Sequence, residues 1–255
     1  MSQEKLRTAL ITGASKRIGL AIAEDLSAHG FAVALHANQS LTDAEEIAAK
    51  LRQAGRRAIA IKANLQNLGE TSTLVEKVVH AFGPLDLLVN NASAFLGDSA
   101  ERFDAKAFEA HFAVHVRAPS ILAADFVRQL PEPYAGLIVN MVDQRVWALN
   151  PRFYSYTLSK AALWTATQTM AQSFAPRIRV NAIGPGPTVR SLRQTEEDFQ
   201  AQIDGLILKA APRLEEFGRT IRFLFDTPSI TGQMIALDGG QHLAWETPDV
   251  SESAE

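Results

Sequence analysis

The strongest constraint on this chain is an alternation that runs along nearly its whole length. Short β-rich runs occur at Thr8–Thr12, Phe31–His36, Ala58–Ile61, Leu85–Asn90, Gly136–Met141, Arg177–Ile183 and Met234–Leu237. Between them, helical spacing marks Ile18–Ala28, Thr42–Ala54, Gly69–Ala81, Asp104–Gln129, Tyr154–Phe174 and Pro212–Phe225. Strands that alternate with helices pair in parallel through crossover connections. The first and fourth runs are apolar on both faces, as strands covered by helices on both sides must be. The pattern predicts an α/β fold, a single-domain Rossmann-type doubly wound parallel sheet of about seven strands with helices on both faces.

A chain of 255 residues, 47% apolar and 21% charged, suits one such domain. No linker or internal repeat divides residues 1–245. Pro185 to Leu208 breaks the alternation with Pro185, Gly186 and Pro187 followed by a polar amphipathic stretch, and residues 185–210 read as a substrate-lid insertion. Residues 246–255 are acidic and poor in apolar side chains, and read as a flexible tail.

Cysteine is absent, which excludes disulfides, thiolate metal sites and a cysteine nucleophile. No histidine spacing suggests a metal site. A net charge of −3 gives no reason to expect nucleic acid or a membrane as partner. Met1–Arg7 lacks the apolar core of a signal peptide, and no apolar run approaches the roughly 18 residues of a membrane span. The expected location is cytoplasmic.

The first strand runs into Thr12-Gly13-Ala14-Ser15-Lys16-Arg17-Ile18-Gly19 and then a helix. Gly13 permits a tight bend and Gly19 a close helix–sheet approach, while the helix N-terminus presents free N–H groups to a pyrophosphate. An enzyme that uses NAD places an acid at the end of the second strand to hold the ribose 2′-OH. That strand ends here in His36-Ala37-Asn38-Gln39-Ser40, without an acid. His36, Asn38 and Ser40 as donors, with Lys16 and Arg17 as cations, suit a 2′-phosphate, so the expected cofactor is NADPH. The bland alternative is that Ser40 or Thr42 merely caps the next helix.

Tyr156 and Lys160 stand four apart at the start of a helical segment, on one face. An ammonium beside a phenol, together with an oxidised nicotinamide, would stabilise phenolate and lower its pKa from about 10, which tunes the tyrosine as a proton donor. The pair also follows the fifth strand, on the side where such sheets bind ligands.

Taken together, the Thr12–Gly19 loop, Asn90-Asn91-Ala92, Tyr156-x-x-x-Lys160, Asn181-x-x-x-Pro185-Gly186 and Asp238-Gly239-Gly240 make the chain resemble the short-chain dehydrogenase/reductase superfamily. That resemblance implies cofactor contacts from Gly13, Ser15, Lys16, Arg17, Ile18, Gly19, His36, Asn38, Ser40, Asn64, Leu65, Asn91, Ala92, Ser93, Tyr156, Lys160, Pro185 and Gly186. It also implies a homotetramer packed through two long helices and the last strand.

Three departures narrow the substrate. Arg17 stands for the loop's middle glycine, Asp143 for the serine 13 residues before the tyrosine, and Ser93, followed by Phe95, for a glycine. These features resemble the pteridine reductase branch and the related bacterial dihydromonapterin and dihydrofolate reductases. The resemblance implies that Phe95 stacks on a flat pterin ring. Arg17, Ser93, Asp143 and Tyr156 would complete the substrate site. An ionised Asp143 would repel the charge that develops on a ketone oxygen, whereas an acid with a raised pKa can deliver a proton to a ring nitrogen. The alternative is that Asp143 points away.

His115 stands where the superfamily has an asparagine, either as a hydrogen-bonding and proton-relay group or as filler. Asn64 replaces an adenine-contacting acid. Trp147, Phe153, Thr188, Val189 and Leu192 are candidate pocket residues. The leading expectation is an NADPH-dependent reductase of a pteridine-like substrate. Its competitors are a carbonyl reductase of 3-oxoacyl or small ketone substrates, and a nucleotide-binding regulator without catalysis, against which Tyr156 and Lys160 argue.

Overall fold

The computed structural model describes residues 6–190 and 194–245, so the tail expected at 246–255 and Leu192 lie outside the described residues. Seven parallel strands form one sheet in the order β3-β2-β1-β4-β5-β6-β7. They are β1 (Arg7–Thr12), β2 (Phe31–Ala37), β3 (Ala58–Lys62), β4 (Leu87–Asn90), β5 (Gly136–Met141), β6 (Ile178–Pro185) and β7 (Met234–Leu237). The order reverses between β1 and β4, which opens a crevice beyond their carboxyl ends.

Side-chain alternation along the strands feeds two cores. Ala9, Ile11, Val33, Leu35, Leu137 and Val139 pack with α1 (Arg17–Ala28), α2 (Leu41–Gln53) and α9 (Leu214–Asp226). Leu10, Ala34, Leu88 and Ile138 face the other way, onto α4 (Leu74–Phe82), α6 (Ala118–Gln129) and the end of α7 (Tyr154–Phe174).

Two expected helices are interrupted, each for a local reason. The segment 69–81 divides into α3 (Leu68–Ser72) and α4 at Thr73. There the hydroxyls of Thr71, Ser72 and Thr73 donate back to the carbonyls of Asn67, Leu68 and Glu70, which competes with the helical ladder. The segment 104–129 contains α5 (Ala105–Phe112), a π-helical turn Ala113–Arg117, and α6. Pro119 has no N–H for the carbonyl of His115, and its ring crowds that carbonyl. Ser120 Oγ donates to Val116 O at 2.8 Å instead. Within the stretch after β6, residues Glu196–Asp204 form α8, started by a capping box between Thr195 and Asp198.

Candidate active site

A cleft of about 1490 Å³ lies over the switch point between β1 and β4. Its floor is the β1–α1 turn. Gly13 has φ +64°, and a Cβ there would stand 3.0 Å from Ala92 Cα; at Gly19 it would stand 2.2 Å from the Gly13 carbonyl. Arg17 has a left-handed backbone, at φ 54°, a strained state for a residue with a side chain. Its guanidinium donates to Val189 O at 2.6 Å. No side chain caps the start of α1, so its first N–H groups remain available to an anion.

Neighbouring side chains brace this turn. Thr12 Oγ1 accepts from Asn91 N and Ala92 N, and Asn91 Nδ2 donates to the carbonyls of Thr12 and Gly13. His36 Nδ1 accepts from Gly13 N at 3.1 Å, which leaves Nε2–H to donate to Ala63 O at 3.0 Å. Burial lowers the pKa of this imidazole. The expectation that His36 offers a proton to a 2′-phosphate is therefore corrected: it is neutral, both its nitrogens are engaged, and it shapes the loop.

Ser15 and Ser40 hydrogen-bond each other at 2.6 Å, so Ser40 does not cap α2 with its side chain. Lys16 pairs with Asp43 at 2.9 Å. Lys16, Arg17, Ile18 and the exposed Asn38 line the cleft; Ser15, Ser40, Asn64 and Leu65 do not. Asn64 instead bonds Gln66 N through Oδ1 and Glu70 Oε2 through its own N–H. Pro185 and Gly186 form the opposite wall, where a Cβ on Gly186 would stand 2.6 Å from Asp238 Cα.

At the other end of the cleft, Tyr156 Oη donates to Asp143 Oδ2 at 2.9 Å. Asp143 Oδ1 accepts from Arg145 N and so caps a single 3₁₀ turn, Gln144–Val146. Asp143 thus points at the tyrosine. In the chain by itself, Lys160 does not lower the Tyr156 pKa. Burial and the adjacent Asp143 carboxylate hold the phenol well above its usual value. Lys160 is buried and donates to Met141 O at 2.7 Å. Desolvation lowers its pKa to about 8, against the pull of Asp143.

His115 has a hydrogen-bonding role, and it has a counterpart that the sequence reading missed. Ser159 Oγ donates to Tyr156 O, so His115 Nδ1 is the donor to Ser159 Oγ at 2.8 Å. Its Nε2 then accepts from Ala94 N at 3.1 Å and faces Ser93 Oγ at 2.9 Å. His111, one turn earlier, repeats the arrangement: Nε2 accepts from Leu96 N at 3.0 Å and Nδ1 meets Ser155 Oγ at 2.8 Å. The rings lie 5.6 Å apart and nearly parallel.

These two rungs bracket Phe95 on the loop side and Tyr156 on the helix side. Phe95 packs edge-to-face on Tyr156 at 4.8 Å. Burial lowers the pKa of both histidines, and Lys160 adds to the effect on His115. The i,i+4 spacings His111/His115 and Ser155/Ser159 are the signal that could have revealed the ladder. Among the described residues no cluster is arranged to hold a metal.

Phe95 also stacks on Phe153 at 4.4 Å. Phe153 adopts φ 57° at the start of α7 and lines the cleft, as do Ser93, Thr188 and Val189. Trp147 does not line it; its ring packs against Trp164 and His242. Asn181 and Asp238 prove to be structural. Asn181 ties β6 to residues 230 and 233, and Asp238 accepts from Gly240 N and His242 N.

The family model for short chain dehydrogenase matches residues 7–201. FolM alternative dihydrofolate reductase 1 from Brucella canis, crystallised with NADP, is 54% identical with a TM-score of 0.94, covering 96% of this chain and 98% of that one. An uncharacterized oxidoreductase, YjdA, of Bacillus subtilis is 32% identical over 94% of this chain and 97% of its own. The 3-oxoacyl-(acyl-carrier-protein) reductase of Synechocystis is 30% identical over 92% of this chain and 96% of its own.

Proposed function

Because this chain belongs to the short-chain dehydrogenase family, the open question is its substrate, and we propose that it reduces a pteridine-like ring, a dihydropterin or dihydrofolate, with NADPH. The floor of the cleft fits that dinucleotide. Gly13, Gly19 and Gly186 leave space that a Cβ would fill. Lys16 and Arg17 supply positive charge, and Asn38 stands where an acid would repel a 2′-phosphate. NADPH, when bound, supplies the hydride.

The observation that carries the substrate reading is the Tyr156–Asp143 hydrogen bond. Hydride transfer to a ketone builds negative charge on oxygen, which a carboxylate at this point opposes. Hydride transfer to a C=N bond requires a proton at nitrogen, and the pair can hold and pass one. Burial and Asp143 keep Tyr156 protonated at neutral pH. Lys160, its pKa lowered to about 8 by desolvation, stands 5.7 Å from the Tyr156 ring and adds a cation behind the pair. Phe95, exposed at the cleft, offers a face to a flat ring, and Ser93 and Arg17 line the same cleft. His115 and His111 position Phe95 and Tyr156. Residues 185–210 act as a lid, to which Arg17 is joined through Val189.

The 54% identity to a dihydrofolate reductase supports this reading more strongly than the 30% identity to a 3-oxoacyl reductase supports ketone reduction. As part of the same reading, the protein is a cytoplasmic homotetramer that acts on a small planar heterocycle, and sedimentation of the purified protein tests the assembly. NADPH oxidation with dihydrofolate, 7,8-dihydrobiopterin, a quinonoid dihydropterin and a 3-oxoacyl thioester tests the substrate. Turnover of the pteridines is expected, with a fall of about 100-fold in Asp143→Ser. Preference for the thioester, or full pterin turnover in that variant, overturns the assignment.

A further inference from the structure

Arg145 is the residue of the cleft whose chemistry the proposed reaction leaves unused. It follows Asp143 by two positions and is fixed there, because Asp143 Oδ1 accepts its backbone N–H at 2.9 Å. Its guanidinium lies over the stacked rings of Phe153 and Phe95, 5.1 and 5.9 Å from their centroids. Such a contact holds a planar cation in place without satisfying its N–H groups. Nη1 is excluded from solvent and has no hydrogen-bond acceptor. Among the described residues, no carboxylate lies within ion-pair distance of Arg145.

The acids that line the cleft are already engaged: Asp143 by Tyr156 and Arg145 N, and Asp198 by Thr195 at the start of α8. Arg152 lines the same wall and likewise lacks a carboxylate partner among the described residues. A half-buried cation without a counter-ion is costly, and a carboxylate offers it the strongest hydrogen bonds available.

We infer that Arg145 is a specificity-determining residue that binds a carboxylate on the substrate, beyond the edge of the ring that lies on Phe95. The preferred substrate is then a heterocycle with an acidic tail, of the dihydrofolate kind, rather than a bare dihydropterin. The aromatic stack sets the direction: the same two rings that hold the guanidinium also form the wall against which a flat ring would lie. The inference rests on the pteridine reading above and selects within it.

The test compares kcat/KM for 7,8-dihydrofolate and for 7,8-dihydrobiopterin, whose tail carries no acid, in the wild type, Arg145→Met and Arg145→Lys. Methionine keeps the apolar stem against the rings, and lysine keeps the charge but loses the planar fork. The ratio of the two kcat/KM values is expected to fall about tenfold or more in Arg145→Met, through KM for dihydrofolate, and by less in Arg145→Lys. A ratio unchanged within about twofold in a folded, pterin-active variant overturns the carboxylate site and leaves the pteridine reading standing. A wild type that reduces neither compound overturns both. If Arg145→Met does not fold, the same criterion applied to Arg145→Gln decides.

Discussion

Around the β1–α1 turn, polar side chains are spent on the protein itself. Asn91 and His36 bond the backbone of the turn, and Thr12 bonds the backbone that follows β4 beside it. What faces the cleft there is main chain, space left by glycines, the start of a helix and the side chains of Lys16, Arg17 and Asn38. Around Tyr156 the balance is reversed. A phenol, a carboxylate, a stacked pair of phenylalanines and an unpaired guanidinium face the cleft, and the braces stand one layer behind, in His111 and His115. On the proposed reading the first region recognises mainly by shape, with Lys16, Arg17 and Asn38 adding charge and polarity for a 2′-phosphate. The second recognises by chemistry, and its demands are hydrogen bonds and charge. A dinucleotide common to many reactions can be held by a fixed shape, while the substrate has to be told apart by its groups.

The sharpest break in that contrast is chemical. Tyr156→Phe removes the proposed proton donor while keeping the ring against Phe95, and kcat is expected to fall about 1000-fold in stopped-flow NADPH oxidation. A loss below about tenfold would remove Tyr156 from the proton path.

Gly19→Ala attacks the other region through shape alone. Its Cβ would stand 2.2 Å from the Gly13 carbonyl and 2.5 Å from Asn91 Nδ2. NADPH affinity, read by fluorescence titration, should weaken by about 50-fold, with about 1–3 kcal/mol lost from thermal stability. Unaltered affinity would show that the turn is not the phosphate site.

His111→Leu tests the brace behind the substrate region. It leaves Leu96 N–H without its acceptor, for an expected cost of about 1–3 kcal/mol. It should raise KM for the ring substrate several-fold while sparing NADPH affinity. His111→Gln, which offers an acceptor and a donor, should recover much of both losses. Equal effects on substrate and cofactor would make the rung a general packing element.

The smallest expected effect is on pH dependence. Burial lowers the pKa values of His36, His111 and His115 below that of a free imidazole. Between those lowered values and about 6.5 the unfolded chain binds protons that the folded chain does not. Their contribution to stability is therefore complete above about pH 6.5 and is lost as pH falls below it. The melting temperature should rise between pH 5 and 7, and His115→Gln should flatten part of that rise. An unchanged slope in the variant would mean that His115 titrates alike in both states.

The fold was legible because its signals are local and repeated. Apolar strands such as Leu87–Asn90 alternate with amphipathic helices, and this implies a parallel sheet whatever the loops do. The two interruptions were less visible. A single proline acts on a carbonyl four residues back, and three consecutive hydroxyl side chains compete with a helix that their neighbours favour.

Within the site, the residue types at Gly13, Gly19, Asp143, Tyr156 and Lys160 follow from the sequence and its family resemblance, because chemistry and steric freedom belong to the residue itself. Tertiary structure alone decided what each group is paired with. It turned His36 from a phosphate donor into a brace, and it buried Tyr156 and set Asp143 against it, so that the phenol's pKa rises. It joined His111 and His115 to Ser155 and Ser159 across 44 residues. It also placed Arg145 on two aromatic rings with no acid among the described residues to meet it. Hydrogen bonds and desolvation depend on partners that folding brings from distant parts of the chain, and no local pattern of residues records them.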